Sequence, residues 1–169
     1  MKFFFDTEFE PYNTTRNPDL ISIGVVSETG AEFYGENLDY NLTKANPWLM
    51  DNVIPHLTGP GYSQDLLLAN MVKWINGQSY DQPVEFYMWV GTYDWFILQQ
   101  ALKAERGWPV NWPWYFGEIK WIHEKFCPML DVHKIPNNGG PIHHALNDAV
   151  WNKNVFDAVQ KKIGPGVKL

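Results

Sequence analysis

The stretch KFFFDTEFE at residues 2–10 constrains the fold of this chain more than any other part of the sequence. Three consecutive phenylalanines indicate a strand with both faces buried, which is typical of the centre of a sheet. Because side chains alternate along a strand, Phe4, Asp6 and Glu8 share one face, while Thr7 and the other two phenylalanines share the opposite face. A strand that ends at Glu8 therefore brings two carboxylates to the edge of a core, where acids are seldom found without a partner.

The remaining pattern predicts a mixed α/β sheet flanked by helices. Residues 20–38 have the pattern of two strands joined by a turn at 29–30, which places an antiparallel hairpin beside the first strand. Gly77 is expected to end the first long helix, Thr92 to cap the second and Gly107 to end it. Strand alternating with helix implies crossover connections and parallel pairing in the second half. The pattern predicts a helix at 63–76, a strand at 84–90 and three further helices at 93–106, 117–125 and 145–162.

Composition restricts the size, the partners and the compartment. With 169 residues, of which 45% are hydrophobic, we expect one domain spanning residues 1–169. A formal net charge of -6 argues against coating of duplex nucleic acid, which needs many cationic side chains. It leaves open a site for a strand end, where metal ions supply charge and aromatic side chains supply stacking. A single cysteine, no secretory pattern and no transmembrane run lead us to expect a cytoplasmic protein with no membrane partner.

Two further acids are expected to reach the sheet edge that carries Asp6 and Glu8. Asp94 falls in the first turn of the helix after the 84–90 strand, where the helix dipole favours a carboxylate. Asp148 lies about 60° to one side of the inward stripe of the last helix, and two alanines in that stripe permit close approach to the sheet. Four converging carboxylates raise one another's pKa, so their convergence indicates divalent metal. Oxygen ligands favour Mg²⁺ or Mn²⁺ over Zn²⁺.

Three motifs in the chain match a known family. They are DTE at 6–8, YD at 93–94 and HHALNDA at 143–149. The first two are weak signals alone and the third is moderately specific, but all three in order at predicted strand ends and helix starts favour catalysis. The set resembles the DEDD exonucleases of the histidine subtype (DEDDh), relatives of oligoribonuclease and ribonuclease T. The chain looks closest to a small bacterial and phage group of 3′-to-5′ exoribonucleases, although Ser22 stands where many relatives carry an acidic or amide residue.

The resemblance implies a ribonuclease H-like fold and a metal-dependent hydrolase. The implied reaction removes nucleoside 5′-monophosphates from the 3′ end of single-stranded RNA or short oligonucleotides. It also implies two ions, Mg²⁺ or Mn²⁺, one held by Asp6, Glu8 and Asp148 and the other by Asp6 and Asp94. Two such ions together can activate water and stabilise the leaving oxygen.

The motif register assigns His143 as the general base, a role suited to the near-neutral pKa of imidazole. In a continuous helix His143 would lie about 140° from Asp148, so it can serve the site only from the loop before the helix. The Gly-Gly-Pro segment at 139–141 is consistent with such a loop. His144 remains an alternative, because its four-residue spacing from Asp148 matches the tyrosine of the sister subtype.

Candidate substrate contacts surround the acids. Phe9 matches a family position that contacts the terminal nucleotide, and Thr7 lies between the two acids of the first motif. Trp95 follows Asp94 and is the leading candidate for stacking on a base. The proline-rich aromatic loop at 107–116 could instead contribute to a homodimer contact, since homodimers are frequent among the relatives.

Two other functions remain open from the sequence. A DNA-directed 3′-to-5′ exonuclease could use the same chemistry, because four acids do not distinguish the sugars. An inactive ribonuclease H-like module could bind nucleic acid or a partner, although such a module has no need of four acids and a base.

Overall fold

The computed structural model describes residues 1–10 and 19–164, and a six-stranded mixed sheet forms its centre. The strands are β1 (Lys2–Glu10), β2 (Asp19–Ser27), β3 (Glu32–Asn37), β4 (Gly61–Tyr62), β5 (Glu85–Met88) and β6 (Gly117–Glu118). Their order in the sheet is β4-β3-β2-β1-β5-β6. β2 pairs antiparallel with β1 and β3, whereas β4, β5 and β6 join in parallel. The predicted ribonuclease H-like fold, with an N-terminal antiparallel hairpin and later parallel strands, is confirmed.

Helices cover both faces of the sheet. In the described part of the chain they are α1 (Pro47–Asn52), α2 (Gln64–Ser79), α3 (Thr92–Glu105), α4 (Ile119–Phe126) and α5 (Ala145–Ile163). α2 and α3 pack against the face that carries Phe3 and Phe5, while α4 and α5 pack against the face that carries Phe4. None of the helices among these residues has the length and apolar character required to cross a bilayer.

β1 is paired on both sides where it carries the first two phenylalanines and on one side where it carries the acids. β1 pairs with β2 as far as Glu10, but β5 pairs only with Lys2–Phe4. The phenylalanines therefore lie in the closed centre of the sheet, while Asp6 and Glu8 lie past the end of the β5 ladder. The prediction that β1 ends at Glu8 is wrong, because pairing with β2 continues for two more residues. The acids lie within β1, on a part that has no paired strand on its β5 side among the residues that the structure describes.

Several predicted boundaries differ from the structure. Gly77 does not end α2, because the left-handed residue that terminates it is Tyr80, with φ 45°. Thr92 lies inside α3, whose N-cap is Gly91. The helix predicted from residue 117 begins two residues later, since Gly117–Glu118 pairs with β5 as β6. The short elements α1 and β4 had not been predicted.

Candidate active site

The four predicted acids meet in one cleft of about 330 Å³ beside the open part of β1. A larger groove, of about 570 Å³, lies along β5, β6 and α4, but it contains none of the predicted site residues. The chemistry-bearing groups are therefore concentrated in the smaller cleft. Its lining consists of Asp6, Glu8, Asp94, Asp148 and His143, together with Thr7, Phe9, Trp48 and Leu49.

Thr7 connects Asp94 to β1. Its backbone N–H donates to Asp94 Oδ1 at 2.9 Å, and its hydroxyl donates to the same oxygen at 2.6 Å. These bonds favour the ionised carboxylate, but burial outweighs them and raises the pKa of Asp94. Since Thr7 lies between Asp6 and Glu8, the strand that carries two acids also holds the third. Both polar donors of Thr7 are used in this way.

His143 and Asp148 meet at the start of α5. The backbone N–H of His143 donates to Asp148 Oδ2 at 3.0 Å, which closes a five-residue loop over the first turn of the helix. His143 has φ 60°, a left-handed conformation that no helical residue adopts, so it precedes α5 as the motif geometry requires. One ligand atom each from Glu8, His143 and Asp148 lie within 4.8 Å of one another.

His144 faces another part of the molecule. Its ring stacks on Tyr34 of β3, with centroids 4.4 Å apart and planes inclined by 22°. Burial lowers the pKa of His144, and its buried Nδ1 has no hydrogen-bond partner among the described residues. His144 does not line the acidic cleft, whereas His143 does.

A close backbone contact brings α5 over β1 and β2. An added Cβ on Gly24, the β2 partner of Asp6, would lie 2.2 Å from the carbonyl oxygen of Ala145. Further along α5, Asn152 Nδ2 donates to the carbonyl oxygen of Phe5 at 3.0 Å. These two contacts fix the helix that carries Asp148 against the strand that carries Asp6.

The acids oppose one another's ionisation. Burial raises the pKa of Asp6, and the charges of Asp94, Asp148 and Glu8 raise it further. Burial, with smaller contributions from Asp148 and Asp94, raises the pKa of Glu8 to about 8. Burial likewise raises the pKa of Asp148. Among the described residues no lysine or arginine lines the cleft, so the donor set consists of hard oxygen atoms with uncompensated charge, which fits divalent cations.

The prediction that Trp95 stacks on a base is wrong, and other aromatic residues line the cleft. Trp95 is 7% exposed, packs against Phe86 in the core and donates its indole N–H to the Trp114 carbonyl oxygen, so it is not available to stack on a base. Phe9 lines the cleft and stacks on Tyr93 with centroids 6.2 Å apart.

Trp48 was missed by the sequence reasoning. It lies on α1, lines the cleft, is 51% exposed and contacts His143 edge-on with centroids 4.8 Å apart. The available signal was Asn46 followed by Pro47, a typical helix start, and the Asn46 side chain indeed accepts a hydrogen bond from the Leu49 N–H.

The other candidate side chains lie outside the cleft. His133 is exposed, whereas His123 is buried in α4 with its Nε2 2.9 Å from the Leu130 carbonyl oxygen. Cys127 is a half-buried free thiol.

A ribonuclease H-like sheet with four acids at the open part of its central strand places the chain among α/β proteins with a site whose oxygen donors suit divalent cations. Within that class, the model of the Rv2179c-like 3′-5′ exoribonuclease domain matches residues 1–160. The chain therefore belongs to this family, which confirms the predicted class of enzyme. Two relatives from Mycobacterium tuberculosis, the 3′-5′ exoribonucleases Rv2179c of strain H37Rv and MT2234.1 of strain CDC 1551, are each 30% identical over 154 residues. Each alignment covers 88% of this chain and 87% of the relative.

Proposed function

We propose that this protein is a divalent-metal-dependent 3′-to-5′ exoribonuclease of the DEDDh subtype. It removes nucleotides from the 3′ end of single-stranded RNA or short oligonucleotides and releases nucleoside 5′-monophosphates. The observation that carries the proposal is the meeting of four buried or half-buried acids with His143 in one cleft. The family assignment supports the direction and the RNA substrate.

The donor set supports two cation positions that share one carboxylate. Asp6, Glu8 and Asp148 would hold one ion, and Asp6 and Asp94 would hold the other, with Mg²⁺ or Mn²⁺ as the metal. When bound, such ions supply activation of water and neutralisation of negative charge at the reacting phosphate. Thr7 contributes by holding Asp94, since its N–H and hydroxyl both donate to that carboxylate.

His143 is the proposed general base that accepts a proton from the attacking water. Its backbone N–H donates to Asp148, a proposed metal ligand, and its side chain lines the same cleft as the four acids, where an imidazole can accept a proton. The edge of Trp48 limits the positions that the ring can take. The stack of His144 on Tyr34 turns that ring away from the cleft and favours His143 over the alternative.

The 3′-terminal nucleotide is proposed to contact aromatic side chains. Phe9 and the half-exposed Trp48 both line the cleft, and aromatic faces stack on any base. This mode of binding suits a chain with a net charge of -6, because it needs few phosphate-binding cations. A cytoplasmic homodimer remains a prediction, and sedimentation velocity tests its oligomeric part.

End-labelled substrates test the function. RNA and DNA of the same sequence, labelled at the 5′ end, are incubated with the protein and Mg²⁺ or Mn²⁺, and products are sized over time. We expect a ladder that shortens from the 3′ end, release of nucleoside 5′-monophosphates, faster reaction on RNA and no reaction by Asp6→Asn. Faster reaction on DNA would support the DNA-directed alternative, and no reaction on either would support the inactive module.

A further inference from the structure

The turn between β5 and α3 has a strained backbone next to the proposed active site. Val90 has φ 54°, a left-handed conformation that a β-branched residue rarely adopts, and its side chain is half exposed. Gly91 follows as the N-cap of α3, and Asp94 lies in the first turn. The strained turn therefore sets where α3 begins, and through it the position of the Asp94 carboxylate.

Glu118, on the neighbouring strand β6, binds this turn through its carboxylate. Its Oε1 accepts from the Val90 N–H at 2.8 Å, and its Oε2 accepts from the Gly91 N–H at 3.2 Å. Oε1 also accepts from the Lys120 N–H at 3.1 Å, which caps α4. The backbone bend at Val90 lets two consecutive amides point at one carboxylate. Hydrogen bonds to a carboxylate are stronger than hydrogen bonds between neutral groups.

The same turn packs tightly against the end of β5. A Cβ placed on Gly91 would lie 2.2 Å from Cβ of Met88, so the backbone folds back directly over the strand. On the other side, Thr7 holds the Asp94 carboxylate with two hydrogen bonds. Thr7 of β1 thus holds the side chain of Asp94, while Glu118 holds the backbone of the turn that precedes Asp94.

We propose that Glu118 is a positioning residue for the active site, which acts by holding the left-handed Val90 turn and thereby placing Asp94. The role of Asp94 in the reaction rests on the proposed function, whereas the hold on the turn does not. Glu118 does not line the acidic cleft. Burial is the main cause of the raised pKa of Asp94, and the charge of Glu118 adds to it through space. Without its carboxylate, Val90 relaxes toward right-handed or extended conformations, which are favoured by roughly 5- to 30-fold for such a residue.

A double-mutant cycle separates this role from a general loss of structure. The variants are Glu118→Ala, Val90→Gly and their combination, because glycine adopts positive φ without strain and removes the need for the carboxylate. Glu118→Gln keeps one carbonyl acceptor and serves as the conservative variant. Glu124→Ala is the matched control, since Glu124 is an exposed acid on α4 whose ion pair is with Lys120.

Two measurements are made on each variant. Amide hydrogen exchange of Val90 and Gly91 is followed by NMR in chelator-treated protein, so that it depends on neither metal nor activity. kcat and KM are then measured with labelled RNA. We expect Glu118→Ala to lose protection at both amides and to lower kcat roughly 5- to 30-fold with little change in KM. Glu118→Gln should be intermediate, and Val90→Gly should restore most of the kcat that Glu118→Ala loses.

The proposal is overturned if exchange at the two amides is the same in Glu118→Ala and Glu124→Ala. It is equally overturned if kcat falls but Val90→Gly does not restore it, since Glu118 would then act in some other way. Should Glu118→Ala not fold, Glu118→Gln with and without Val90→Gly gives the same comparison. A wild-type protein without nuclease activity would refute the proposed function, yet the exchange measurement would still decide whether Glu118 holds the turn.

Discussion

Gly24→Ala is the substitution whose effect follows most directly from the geometry of the site. The new Cβ would lie 2.2 Å from the carbonyl oxygen of Ala145 and 2.3 Å from the amide nitrogen of Leu146. Both atoms belong to the backbone, so no side chain can rotate to make room. Ordinary contact begins at about 3.4 Å, and the start of α5 must therefore move away from β2 by roughly 1.2 Å.

The expected consequences are a moderate loss of stability and a large loss of activity. Overpacking of this kind costs about 1 to 3 kcal/mol in the free energy of unfolding. Because the displaced turn carries Asp148 and is joined to His143, a shift near 1 Å should lower kcat by about 100-fold. Urea unfolding gives the first quantity, and initial rates on 5′-labelled RNA give the second.

Gly77→Ala is the matched control, since a Cβ at that position in α2 meets nothing within 4 Å. The same chemical change there should stabilise the protein by about 0.4 to 1 kcal/mol and leave kcat unchanged. If Gly24→Ala also retained full activity and stability, the close contact between β2 and α5 would not be what places Asp148, and the reasoning would be refuted.

Three further predictions concern individual side chains. His143→Ala should lower kcat by about 10² to 10⁴ and far more than His144→Ala, whereas the reverse ranking in single-turnover rates would move the base to His144. In chelator-treated protein the free energy of unfolding should fall as pH rises from about 5 to about 8, because folding raises the pKa of Glu8 from 4.5 to about 8 and favours its protonated form. The slope is at most about 1.4 kcal/mol per pH unit for one group, and Glu8→Gln should flatten it in denaturant titrations at several pH values. Trp48→Ala should raise KM roughly tenfold through lost stacking, while Trp121→Ala, an exposed tryptophan outside the cleft, should leave KM unchanged.

The parts of the fold set by local pattern were predictable from sequence. The period of two in β1 identified both its buried faces and the shared face of Asp6 and Glu8, and the helix starts placed Asp94 and Asp148 near the same edge. The position of His143 before α5 also followed from helix geometry. These features depend on neighbours in the chain, so the sequence pattern contains them.

The parts set by contacts between distant segments were not predictable in the same way. Trp95 follows Asp94 but points about 100° away around α3, into the core, so adjacency in sequence was misleading. Trp48 enters the cleft from a helix of only six residues. The hold of Glu118 on Val90 joins residues 28 positions apart, and β6 exists only because β5 pairs with it.

Calorimetric titration with Mn²⁺ tests most directly whether the converging acids form a metal site. Wild-type protein should bind two ions per chain, Asp6→Asn should lose both because both positions share Asp6, and Asp157→Asn, which changes an exposed acid of α5, should match the wild type. An absence of binding in the wild type, or equal binding by Asp6→Asn, would contradict the account.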